Sequence, residues 1–263
     1  MFRNMKNLQD IYEGVLDDDF TTNKSTDTAV AIDVITSWIR ENYEGNGTLK
    51  IKVLKRPGSD GKFMVDLPVN GLLHLKKTAT SFTNDLFVWR NVNGEFSCKN
   101  NLNIKTLEGS PRTCVVFDCR DCENLETLKG GPDKARALRC DKCTSLKTLE
   151  GAPKVCEALY CDDCTNLISL KGSPYKLMIF SCNDCSKLTS LEGGPNEVTT
   201  MFCKNLPKLN TLRGFPEYVG YKLDCRGQGP KIDTDKLDEM YAELKTPYAT
   251  QKGCGVFYSI WVD

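Results

Sequence analysis

The sequence predicts a repeat solenoid: a parallel sheet of short strands, one per coil, closed by a capping element at each end. Three observations carry that expectation. Leu-x-Gly-x-Pro occurs at Leu107–Pro111, Leu128–Pro132, Leu149–Pro153, Leu170–Pro174, Leu191–Pro195 and Leu212–Pro216, each start 21 residues after the last. Between these copies, apolar residues and cysteines recur in fixed columns. Apolar side chains make up 40% of the 263 residues, enough for a sizeable core that a repeat distributes along an axis.

Charge and composition remove several classes of function. The 35 basic and 35 acidic residues cancel, and the pI is near 6.6. Affinity for nucleic acid or an anionic membrane needs a basic surface, so neither is an expected partner. No apolar run reaches the length of a membrane span. The start, Met1–Asn7, leads into an acidic stretch and not the apolar core of a secretory signal peptide. The 14 cysteines are therefore expected as reduced thiols in a cytosolic setting.

Four segments follow in order. Residues 1–25 read as a leader helix and linker, with Leu8, Ile11, Tyr12, Val15 and Leu16 at helical spacing before Asp17–Asp19. Residues 26–70 read as an α+β N-terminal cap. Its helix runs over 26–43, with Val30, Ala31, Val34, Ile35, Trp38, Ile39 and Asn42 inside or flanking, and Gly45-Asn46-Gly47 stops it. Two strands, Thr48–Leu54 and Lys62–Leu67, flank the turn-rich Arg56–Gly61. Such a cap is required because an open first coil exposes core and a strand edge.

Residues 71–225 are the array. In its first part, Phe82 lies 16 residues before Cys98, where regular coils have 12. The excess predicts either a rim loop near Asp85–Asn91 or an irregularity of the cap. His74, the single histidine, has no partner for a histidine metal cluster and reads as structural. Residues 226–263 read as a helix–strand C-terminal cap, with Leu237, Met240, Tyr241 and Leu244 on one helical face and a strand over Val256–Val262.

The regular coils have a definite layout. One inward column is Phe96, Phe117, Leu138, Leu159, Phe180, Met201 and Leu223. Two residues on stand Cys98, Cys119, Cys140, Cys161, Cys182, Cys203 and Cys225, the last step one residue longer near Tyr218–Tyr221. Three further on come Cys122, Cys143, Cys164 and Cys185, with Asn101 and Leu206 at the ends. Four Cys-x-x-Cys pairs point to zinc or redox chemistry when they stand alone. Here the period supplies another reason: the first thiol replaces a buried aliphatic group and the second serves the turn. No metal site and no cofactor are expected.

This pattern of leucines with cysteine in the asparagine place resembles the leucine-rich-repeat superfamily, which implies a β-solenoid or horseshoe. The resemblance places the residues between inward positions on a concave binding face. Those residues are Val116, Asp118 and Arg120 on one coil, then Arg139, Tyr160, Asp162, Ile179, Phe202 and Lys204. Tyr160, Ile179 and Phe202 form an aromatic–aliphatic group with charged flanks, a composition common at binding hot spots. Solenoid strands also favour such residues without any partner.

Leu86–Cys98 with Lys105–Pro111 is similar to leucine-rich-repeat proteins of bacteriophages, from which the chain departs in having Arg136-Ala137 and Glu157-Ala158 where Gly-Gly is usual. Leu8–Asp18 is similar to short N-terminal segments of otherwise unrelated phage proteins. These likenesses imply a host bacterial cytoplasm or a virion as the location, and transfer no catalytic residue. No glycine-rich phosphate loop, His-Glu-x-x-His or nucleophile elbow is present, and Cys254 is the one cysteine well outside the array. The expected function is a non-enzymatic scaffold binding a host or virion protein. The alternative is a structural virion component incorporated through its N-terminal segment.

Overall fold

The computed structural model describes residues 26–45, 51–55, 62–68, 71–227 and 259–261. The chain forms a β-solenoid with 21-residue coils. Helix α1 (Thr26–Asn42) leads directly into β1 (Tyr43–Gly45). Then come β2 (Lys52–Lys55), β3 (Phe63–Leu67), β4 (Leu72–Leu75) and the long β5 (Phe87–Ser97). The regular strands are β6 (Thr113–Asp118), β7 (Lys134–Arg139), β8 (Ala158–Tyr160), β9 (Lys176–Ser181), β10 (Glu197–Phe202) and β11 (Tyr218–Asp224), followed by β12 (Ser259–Trp261).

Strands β4 to β12 pair in sequence order, all parallel, while β1 runs antiparallel on the outer side of β4. The β2–β3 hairpin joins through β3, which pairs with the first half of β5 while β4 takes the second half. Every member of the leucine, aromatic and cysteine columns between Phe96 and Leu209 is buried. Each large aliphatic or aromatic group so buried contributes about 1.5–3 kcal/mol.

Glycine is required in the Leu-x-Gly turn for two reasons. Gly151 has φ +98°, and a Cβ there would lie 2.3 Å from the Leu128 carbonyl carbon of the preceding coil. A second left-handed position recurs between the paired cysteines, at Asn100, Asp121, Lys142, Asp163, Asp184 and Asn205, with φ of 55–61°. Asn and Asp tolerate that conformation best, and they hold five of the six places.

Several expectations are corrected. The helix ends at Asn42, and Tyr43–Gly45 forms a strand that the glycine-rich stop signal concealed. On α1, Ile35, Thr36 and Ile39 are buried and Ile32 and Trp38 pack half-buried against the core, while Val30 and Val34 are exposed. No rim loop holds the excess before Cys98. Instead β5 is 11 residues long and carries two bulges, with Arg90 and Asn91 facing Asp66, and Asn93 and Gly94 facing Val115. Trp89 is buried in the core there. The longer step to Cys225 is likewise a bulge, Gly220 and Tyr221 facing Thr199. Strand β12 agrees with the expected terminal strand. The leader helix over 1–25, the C-terminal helix and Cys254 lie outside the described residues.

Candidate functional site

The paired cysteines come first, because they carry the motif most suggestive of chemistry. All 13 described cysteines are free and buried. In each regular coil the second thiol donates back to the carbonyl of the first cysteine one coil earlier: Cys122 to Cys98 (3.0 Å), and Cys143 to Cys119, Cys164 to Cys140 and Cys185 to Cys161 (3.1 Å each). First-column thiols donate forward, Cys140 to the Tyr160 carbonyl and Cys161 to that of Ser181. Thiol protons thus occupy buried carbonyls that water cannot reach. Burial pushes Cys114 up to about 12 and Cys156 up to about 11. A thiol held neutral in this way is a poor nucleophile and a poor metal ligand. No cluster of three or more His, Cys, Asp or Glu suited to a metal occurs among the described residues.

The surface that remains is the outward face of the sheet, which β6 to β11 present. Strand register lines up Asp118, Arg139, Tyr160, Ser181, Phe202 and Asp224 in one row. Val116, Ala137, Ala158, Ile179 and Thr200 form the next row towards the strand starts. Tyr160 and Phe202 therefore flank Ser181, two strand spacings or about 10 Å apart, with Ile179 on the intervening strand. All three side chains are half-buried, as is Arg139 beside Tyr160.

Asp118 does not stand exposed on this face as expected. It is 1% accessible, because Arg120 folds over it with Nε 2.9 Å from Oδ1 and Nη2 2.6 Å from Oδ2. Ser181 and Asp224 in the same row are also buried. Burial pushes the Asp224 carboxyl up, but hydrogen bonds from Arg226 and the charges of Arg226, Lys204 and Lys222 outweigh it and hold the group below its ordinary value. Lys222 also lies 5.2 Å from the Phe202 ring centroid, within cation–π reach.

Asp162 belongs to a structural ladder. Asp141 Oδ1 accepts the Asp162 N–H, Asp162 Oδ1 accepts the Asn183 N–H, and Asn183 Oδ1 accepts the Lys204 N–H. Each carboxylate or amide thereby caps the following coil. The Ser181 hydroxyl adds a 2.7 Å bond to Asp162 Oδ1. Burial raises the Asp141 pKa, against the pull of the N–H groups it accepts. His74 has a comparable structural place: its Nδ1 is 2.9 Å from Ser97 Oγ on the neighbouring strand.

Sequence reasoning missed Met178. Alternation back from Phe180 turns residue 178 inward, whereas it is 57% exposed and Leu177 is buried. The Glu157 carbonyl accepts from both Met178 N–H and Ile179 N–H. That shared acceptor interrupts the regular ladder without shifting the register, and Met178 has no place among the paired residues. Thr199 and Val115 are skipped in the same way in other coils. These stacked interruptions set Met178 beside Ile179 on the outward face. Comparison with family models, with curated proteins and with solved structures gives no match to this chain. Among the described residues no helix is long and apolar enough to cross a membrane.

Proposed function

We propose that the chain is a non-enzymatic protein-binding scaffold of the leucine-rich-repeat kind, encoded by a bacteriophage, and that it holds its partner on the outward face of β7 to β10. The observation that carries this reading is the apolar group of exposed Met178 and half-buried Tyr160, Ile179 and Phe202 on one sheet face, edged by charged side chains. Apolar side chains in such a setting are typical contact anchors. The thiols, the other chemically suggestive feature, are engaged in packing and hydrogen bonding. The phage assignment rests on the likeness of Leu86–Cys98 and Lys105–Pro111.

The test is a Tyr160→Ala/Phe202→Ala double variant, checked by thermal melting for an unchanged fold. Partners would be identified with the unaltered full chain by cross-linking in infected-cell lysate. The variant should then bind the purified partner at least tenfold more weakly, about 1.4 kcal/mol. Unchanged affinity would place the contact elsewhere.

A further inference from the structure

The charges on this face are unequally used. In its outward rows over β7 to β10, every carboxylate is engaged inside the protein. Glu157 pairs with Arg136, Glu197 with Lys176, Asp141 takes the Asp162 N–H, and Asp162 takes the Ser181 hydroxyl and the Asn183 N–H. Lys134, Arg139 and Lys204, by contrast, make no side-chain hydrogen bond or ion pair among the described residues. Two of these cations bracket the apolar group. Arg139 ends β7 next to Tyr160, and Lys204 follows Phe202 at the end of β10.

We propose that the occupant of this face is an extended acidic segment of a partner protein. Its apolar residues sit on Tyr160, Met178, Ile179 and Phe202, and its carboxylates meet Arg139 and Lys204. The inference rests on the protein-binding reading and adds the chemistry of the partner. Three strand spacings separate β7 from β10, about 14 Å, which an extended chain spans in about four residues. The segment lies across the strands, along the solenoid axis, with carboxylates about four residues apart and apolar side chains between. Carboxylates on such a segment find cations without a hydrogen bond or ion pair of their own, Lys204 having only a longer-range attraction to Asp224, whereas a basic segment meets carboxylates already bonded. A nucleic acid is a poorer fit, because three cations neutralise few phosphates and the centre of the face is apolar.

The experiment is selection of a random 12-residue peptide display library on the immobilised full-length chain, followed by fluorescence anisotropy with the enriched peptides. Enriched sequences should carry carboxylates about four residues apart around apolar residues. Their affinity should fall at least tenfold for Arg139→Glu/Lys204→Glu and at least tenfold for Tyr160→Ala/Phe202→Ala. A 20-nucleotide single-stranded DNA should not compete. Arg139→Gln and Lys204→Gln give a milder loss in the same order and serve if the charge reversals do not fold. Peptides that need Tyr160 and Phe202 but show no acidic preference overturn this inference and leave the binding reading standing. No peptide that depends on Tyr160 and Phe202 removes both. Displacement by the DNA assigns the face to a polyanion and also overturns the inference.

Discussion

From α1 through β5 the core is centred on a cluster of aromatic rings set among aliphatic residues, and from β6 onward leucines and thiols predominate, with Phe117 and Phe180 among them. In the first region Trp89 stands at the centre, its ring 5.6 Å from Tyr43 and from Phe87 and 5.9 Å from Phe96. The Tyr43 hydroxyl donates to the Phe82 carbonyl (2.7 Å) and accepts from Trp89 Nε1 (3.1 Å). In the second region one coil repeats the next, so a small thiol always finds the same carbonyl one coil back. Asn101 marks the border. It occupies the second-cysteine place, but the chain before it is not a regular coil. Its amide donates to the Lys76 and Ala79 carbonyls, and its Oδ1 accepts from the Asn103 and Ile104 N–H groups. An irregular neighbour therefore needs a four-bond side chain, while a repeating one is served by a single S–H.

The strongest way to break this comparison is alkaline pH. Burial raises the folded-state pKa of Cys114 to about 12 and of Cys156 to about 11, and a hydrogen bond to a neighbouring thiol together with burial raises Cys98, Cys119, Cys140 and Cys161. The stability they contribute is complete below pH 9 and is lost as pH rises through the folded-state values, because the unfolded chain ionises first. Each pH unit above 9 costs about 1.4 kcal/mol for each of these raised thiols still neutral. Because several such thiols ionise over the same range, their losses at pH 10–11 add and reach several kcal/mol. Urea unfolding midpoints should fall steeply between pH 9 and 11, and native-state hydrogen exchange should show β6 to β10 opening before β1 to β5. A midpoint unchanged to pH 10.5 would contradict the assignment.

A smaller effect sharpens the border. Asn101→Cys makes the sequence of the first coil resemble the others, yet it removes hydrogen bonds from four backbone groups at a buried position. It should destabilise by about 2–4 kcal/mol, since each buried group left unsatisfied costs about 1–3 kcal/mol. A neutral outcome in chemical denaturation would show that the border is no different from the array.

The smallest expected effects come from the thiols singly. Cys164→Ser keeps a donor for the Cys140 carbonyl and should cost about 1 kcal/mol or less. Cys164→Ala removes that donor and leaves the Cys140 carbonyl only its 3.3 Å bond from the Cys143 N–H, and should cost about 1.5 kcal/mol. The order of the two variants in urea, serine above alanine, is the test. The reverse order would mean that the thiol acts by volume alone.

Much of the architecture was legible in the residues. The 21-residue period named the solenoid, and each column between Phe96 and Leu209 lies where its type predicts. Other regularities were present in the sequence and went unread. Thr106, Thr127, Thr148, Ser169, Ser190 and Thr211 each accept the N–H two residues on, holding the turn before every Leu-x-Gly glycine. Glu108, Lys129, Glu150, Lys171, Glu192 and Arg213 alternate in sign along one row, and Glu150 meets both Lys129 and Lys171. These exposed pairs add little stability each but favour the 21-residue register.

The candidate site divides in the same way. The sequence by itself determined which strands carry Arg139, Tyr160, Ile179, Phe202 and Lys204 and that these share one face, because parallel strands of fixed period leave no other arrangement. Only the tertiary structure decided that Asp118 lies beneath Arg120, that Asp162 caps the next coil, and that Met178 points outward. Those outcomes depend on hydrogen bonds between coils and on a ladder interruption repeated in register. Such an interruption shifts the inward–outward alternation by one residue within each coil, a change that column spacing between coils does not record.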